Sequence, residues 1–77
     1  MFEFDISLHS FQQVQQFVEL AARQKFDVHV GNSWQHINGK DFMGMFSLDY
    51  SRPVRVSVHC SQEEFVRFRE EAAAFLA

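Results

Sequence analysis

Asp41, Phe42, Met43 and Phe46 stand within Lys40-Asp41-Phe42-Met43-Gly44-Met45-Phe46-Ser47-Leu48, a stretch whose residue types suit recognition rather than bond-making. Asp41 precedes an apolar run at the place of a helix N-cap. A carboxylate there accepts a hydrogen bond from a free backbone N–H and sits near the positive end of the helix dipole. At helical spacing Phe42, Met45 and Phe46 cannot all point inward with Met43. Met43 and at least one phenylalanine are therefore expected to stay exposed, and exposed clusters of this kind mark protein-partner surfaces. The four histidines and the one cysteine raise other chemistries. His29 and His59 fall on polar faces of predicted strands. No two histidines are four apart and no Cys/His spacing suits zinc, so no metal site and no cofactor is expected. Cys60 lies between a strand and a helix start, where a thiol pKa can be lowered. The pattern favours a small buried hydrophobe instead. No nucleophile–base pair can be placed, and a chain of this size has no room for a deep cleft, so an enzyme is not indicated.

These residues need elements to position them. Phe2, Phe4, Ile6 and Leu8 alternate with Glu3, Asp5, Ser7 and His9, the period of a strand with one buried face. Ser10 with Gln13 three residues on forms a plausible capping box. Phe11, Val14, Phe17, Val18, Ala21 and Ala22 then recur at helical spacing, which predicts an amphipathic helix over residues 11–24. Phe26, Val28 and Val30 give a second strand, followed by a turn at Gly31-Asn32-Ser33. Trp34 to Ile37 reads as a short third strand, Asn38-Gly39 ends it, and Asp41 opens the short helix. Asp49 to Arg52 is a loop. Pro53 then precedes a fourth strand over Val54, Val56, Val58 and Cys60. Ser61-Gln62-Glu63-Glu64 is a strong capping box, with Cys60 and Phe65 spaced as a hydrophobic staple. Phe65, Phe68, Ala72, Phe75 and Leu76 line one face of a terminal helix.

The order is β-α-β-β-α-β-α. Each strand has one polar and one apolar face, so the sheet is expected to be antiparallel with helices covering one side. Seventy-seven residues allow a single domain, residues 1–77. Ten phenylalanines give such a short chain an efficient core, because aromatics bury the most area per residue. The formal charge of −3 and the scattered Lys and Arg residues argue against nucleic acid as a partner. No apolar run approaches a membrane span. A single cysteine and an N-terminus that alternates in polarity point to a cytoplasmic protein.

Two segments resemble the histidine-containing phosphocarrier proteins (HPr) of the sugar phosphotransferase system. Lys40-Asp41-Phe42-Met43-Gly44-Met45-Phe46-Ser47-Leu48 is similar to the family's K-S-I-M-G-x-M-S-L, with Asp41 at the regulatory serine. Gln16 to Val30 is similar to the family's first helix leading into its second strand. The resemblance runs without gaps over roughly residues 10–48, and the last third agrees in pattern and length. It implies an α+β, two-layer open-faced sandwich with a four-stranded antiparallel sheet. The family's phosphorylation motif is G-[IL]-H-A-R-P-A. This chain has Ser7-Leu8-His9-Ser10-Phe11-Gln12-Gln13-Val14. Counting back from Asp41 puts Ser10 at the phosphohistidine, Gln12 at the arginine and Gln13 at the proline. A one-residue insertion restores His9 to the histidine position. Neither alignment restores the arginine or the proline.

By this resemblance His9 and Ser10 are weak phospho-acceptor candidates, and Ser10 is read first as a helix cap. The retained docking segment implies a non-catalytic regulatory binding module, similar to the catabolite-repression HPr-like proteins. Asp41, Phe42, Met43 and Phe46 would meet the partner, with Gln12, Gln15 and Gln16 as an uncharged rim. Enzyme I or a LacI-type regulator is the partner that the resemblance implies. A fixed charge at Asp41 would imitate the field of a phosphoserine, which carries about −1.5 to −2, better than its geometry. Two alternatives stand beside it: a divergent phosphocarrier phosphorylated by enzyme I at His9, and a self-associating structural module. The oligomeric state is not legible in the sequence.

Overall fold

Alternating apolar residues on four short segments build one sheet, and a computed structural model describes all residues, 1–77. The strands are β1 (Phe2–Ile6), β2 (Val28–Gly31), β3 (His36–Asn38) and β4 (Val54–Val58). They lie in the order β1-β4-β2-β3, and every neighbouring pair is antiparallel. Three helices accompany them: α1 (Phe11–Ala22), α2 (Phe42–Phe46) and α3 (Gln62–Glu71). The buried strand residues Phe4, Ile6, Val28, Val30, Val54, Val56 and Val58 share one core with Val14, Phe17 and Val18 of α1 and Phe68 of α3. The intervening residues Glu3, Asp5, His29, Arg55 and His36 are exposed. The fold is therefore a two-layer α+β sandwich with one sheet face open to solvent, as the alternation implies.

Phe68 is the hub of the aromatic core. Its ring meets Phe4 edge-on at 5.7 Å, Phe26 at 5.6 Å and Phe17 at 6.2 Å between centroids. Offset and edge-to-face pairs of this kind add about 0.5–1.5 kcal/mol each beyond area burial. No polar or charged residue is buried. The interior therefore stabilises the fold and offers no functional group, so any chemistry belongs to the surface.

Several boundaries differ from the sequence expectation. β2 starts at Val28, leaving Phe26 outside the ladder but packed on the core. β3 is His36–Asn38 rather than residues 34–37. The Asn32 side-chain oxygen accepts from the N–H groups of Trp34 and Gln35 at 3.1 and 2.9 Å, so the turn continues through Trp34. β4 ends at Val58, and Cys60 lies beyond it. The terminal helix stops at Glu71 and a 3₁₀ turn, Ala73–Phe75, follows. That break turns the chain back onto β1: Ser7 N–H donates to the Phe75 carbonyl at 2.7 Å and Ala77 N–H to the Asp5 carbonyl at 3.1 Å. The outer edge of β1 is thereby covered, which removes a site of unwanted strand pairing.

On α1, Phe11 and Ala22 are exposed and Leu20 is buried, whereas the sequence reading placed the first two in the core. At about 100° per residue, Phe11 and Ala22 fall about 20–40° beyond Val18, just past the margin of the buried stripe. Leu20 falls at the opposite margin and is enclosed.

Candidate functional site

α2 forms because local signals at both ends agree. The Asp41 carboxylate accepts from Met43 N–H at 3.2 Å, so the residue caps the helix as its position predicts. At the other end the Ser47 hydroxyl donates to the Gly44 carbonyl at 2.6 Å. The Tyr50 hydroxyl donates to the Met45 carbonyl, and its burial pushes the phenol pKa up to about 12. Gly44 lets the helix settle on the sheet. A Cβ there would stand 2.6 Å from the Ile37 methyl Cγ2 and 3.0 Å from the Asp41 carboxylate. With the helix seated this way, Met45 points inward and is fully buried.

Phe42, Met43 and Phe46 consequently face solvent, at 39%, 81% and 36% exposure. Phe11, 70% exposed, joins them from α1. Its ring stacks on Phe46 at 4.4 Å and 9°, and Phe46 stacks on Phe42 at 6.0 Å and 22°. The result is a column of three rings bridging α1 and α2, with Met43 beside it. Sequence reasoning missed Phe11 because its spacing to Val14 mimics a core position. The usable signal was the number of phenylalanines, more than the short helical layer can enclose.

Gln12, Gln15 and Gln16 are all exposed on α1. Helical geometry puts Gln15 about 40° from Phe11 around the axis, with Gln12 and Gln16 about 100° and 140° away. Gln15 is thus the glutamine nearest the aromatic column, and the other two turn toward open solvent.

His9 is exposed and immediately precedes the α1 cap. Ser10 Oγ accepts from Gln13 N–H at 3.1 Å, and Gln13 Oε1 accepts from His9 N–H at 2.7 Å. The reciprocal bond of the box thus reaches one residue further back than in the usual S-x-x-Q pattern. The first two helical amides, of Phe11 and Gln12, keep free N–H groups, a setting that favours an anion. The side chain that α1 adds beside them, at Gln12, is neutral.

Cys60 is half-buried, and burial together with the nearby Glu64 carboxylate pushes its thiol pKa up. Desolvation and the Glu64 charge both disfavour the thiolate, which argues against the activated thiol that the position before a helix start could allow. His29 lies on β2 opposite Ser57, His36 on β3 and His59 past the end of β4. No group of three or more His, Cys, Asp or Glu residues converges on a common point.

No family model and no curated protein matches the chain. Solved structures do. HPr-C-His from Thermoanaerobacter tengcongensis superposes with a TM-score of 0.73 at 25% identity, over 94% of this chain and 90% of that one. The phosphocarrier protein HPr from Bacillus anthracis str. Ames superposes with a TM-score of 0.71 at 21% identity, over 99% of this chain and 94% of that one. With TM-scores above 0.7 and near-complete coverage of both chains, this four-stranded antiparallel sheet with its three helices has the fold of the HPr phosphocarrier proteins.

Proposed function

We propose that this protein is a non-catalytic, HPr-like regulatory module that binds a protein partner through the α1–α2 surface, in the cytoplasm and in connection with sugar phosphotransfer. The observation that carries this reading is the stacked column of Phe11, Phe46 and Phe42 beside the exposed Met43. Aromatic rings already held against one another lose little side-chain entropy on binding, and they supply the desolvated centre of a hot spot. Asp41 stands at the edge of the column. Its capping bond uses one carboxylate oxygen, so the residue remains an exposed charge where the family carries its regulatory serine. Capping and phosphoserine imitation are compatible in this geometry. By the resemblance to HPr, the partner is enzyme I or a LacI-type regulator.

One observation favours the second reading, a divergent phosphocarrier: His9 is exposed directly before the α1 N-terminus. Against it stand Gln12 and Gln13 in place of the motif's arginine and proline, which leave a phosphoryl group without a charge-assisted contact. Incubation with enzyme I and phosphoenolpyruvate, followed by intact mass measurement, decides between the two. The expected outcome is no mass gain while an HPr control is phosphorylated in parallel. An acid-labile gain of one phosphoryl group, lost in His9→Ala, overturns the non-catalytic reading. The binding reading is tested by titrating enzyme I or the regulator into the labelled protein. Binding is expected to weaken at least tenfold in Phe46→Ala and Met43→Ala, because truncating a central hot-spot residue costs about 2 kcal/mol or more. Equal affinity for both variants sinks it.

A further inference from the structure

The open face of the sheet, away from the α1–α2 surface, carries a second feature. The turn at 32–35 and the loop at 49–53 rise at the same end of the sheet, because Gly31 at the end of β2 pairs with Arg55 near the start of β4. Between them lies a concavity of about 840 Å³. This is within the roughly 300–1,000 Å³ typical of small-molecule sites. Its floor is a row across all four strands, Asp5-Arg55-Gly31-His36. Trp34, the protein's one tryptophan, stands at the rim with 79% of its surface exposed.

The lining selects among ligand classes. Apart from Pro53, Trp34 is its one apolar side chain, so an apolar ligand finds too little contact. The Arg55 guanidinium is already engaged, with Nε 3.1 Å from Asp5 and Nη1 3.8 Å from Glu3. Three carboxylates (Glu3, Asp5 and Asp49) face two guanidiniums (Arg52 and Arg55), so phosphates and other anions are not favoured. No three potential ligands converge on a cation. What remains free is a flat aromatic face flanked by donors and acceptors. Arg52 is in no ion pair, His36 is exposed, and the Asp49 carboxylate is oriented by a 2.9 Å bond from Ser51 N–H. Serine, carboxylate, imidazole and guanidinium together can both accept from and donate to hydroxyls. The ring can pack against a C–H face.

We infer that this concavity binds a neutral saccharide, with its ring stacked on Trp34 and its hydroxyls held by Asp49 and Arg52. This goes beyond the proposed partner binding and is independent of it, since the two surfaces lie on opposite layers. The turn is built to hold Trp34 in place. Asn32 fixes it through two side-chain hydrogen bonds, and Gly31 admits the Gln35 carbonyl where a side chain would collide.

Because Trp34 is the sole tryptophan, its fluorescence reports on this site alone. The probes are glucose, galactose, mannose, N-acetylglucosamine, maltose and cellobiose, each titrated into the full chain, with inorganic phosphate as the charged comparison. A saturable emission change is expected for at least one sugar, with half-saturation at or below about 10 mM, weak on the usual affinity scale. The double variant Asp49→Asn/Arg52→Ala keeps the fluorophore and the turn's acceptor and is expected to lose the response at least tenfold. Phe11→Ala, on the other layer, is expected to retain it. The inference is overturned if no sugar gives a saturable change, if phosphate alone does, or if the double variant responds as the parent does.

Discussion

At the scale of single residues, Asp41 carries two roles that substitution can separate. Its cap uses a side-chain oxygen, which an amide supplies about as well as a carboxylate. Asp41→Asn keeps an acceptor of nearly the same reach, whereas Asp41→Ala removes it. Urea unfolding is expected to show Asn within a few tenths of a kcal/mol of the parent and Ala about 1 kcal/mol less stable. If the carboxylate also imitates a phosphoserine, both variants lose partner affinity, although only Ala loses stability. Equal losses of stability in the two would mean that the charge, not the cap, stabilises α2. Asp41 was legible in the sequence because capping is a local signal, read from one residue and the run behind it. Phe11 was not. Its fate depends on where the sheet ends beneath α1, and about 20° of rotation decided between core and surface.

At the scale of elements, α3 is sensitive to the titration of its capping carboxylate and α2 to its packing on the sheet. α3 begins with a complete capping box: Ser61 Oγ accepts from Glu64 N–H at 3.1 Å, and Glu64 Oε1 accepts from Ser61 N–H at 3.0 Å. The bond from the Ser61 backbone holds the Glu64 pKa below its usual 4.5. A group whose pKa is depressed on folding contributes stability above its unfolded pKa and loses it as pH falls through the folded value. α3, and the fold with it, is therefore expected to weaken as pH drops below about 4.5, the range in which an unfolded glutamate begins to take up a proton. Glu64→Gln keeps an acceptor and should flatten that acid limb in a thermal-melt series. An unchanged slope would assign the acid sensitivity elsewhere, Asp49 being the next candidate because its pKa is also lowered by a backbone bond. In α2 the limiting element is Gly44. Helix propensity favours Gly44→Ala by up to about 1 kcal/mol. The new Cβ would meet Ile37 Cγ2 at 2.6 Å, a methyl on a β-branched side chain that cannot swing aside. Overpacking costs about 1–3 kcal/mol, so the variant is expected to be net destabilised despite its better propensity. A gain in stability would show that α2 can slide off β3. The sequence displayed both helices, since periodicity and caps are local. It did not display the break at Ala72 or the shift of β3, because these depend on what the C-terminal residues find at the edge of β1 and on the Asn32 side chain.

At the scale of the whole molecule, one sheet with helices on a single side leaves two working faces, and the oligomeric state decides whether both are reachable. The alternation of polar and apolar residues made that architecture legible. Nothing in it indicates what covers the helical face. Area bears on the choice between docking a partner and self-association. The exposed parts of Phe11, Phe42, Phe46 and Met43 together present on the order of 400 Å², taking about 200 Å² for a fully exposed aromatic. A stable standard interface needs about 800 Å² from each partner. The rim around the column, Gln15 and the like-charged Asp41, would add mostly polar surface and a repulsion between Asp41 and its symmetry mate across a two-fold contact. On area, the proposed docking of a complementary partner that brings its own flanking contacts is therefore favoured over a contact between two copies of this chain. Sedimentation equilibrium at about 100 µM, a hundredfold above the level where micromolar association would show, is expected to return the monomer mass of 9.1 kDa. A dimer that Phe46→Glu dissociates would reverse the assignment. It would make the aromatic column a self-association seam and leave the open sheet face as the surface free to meet other molecules.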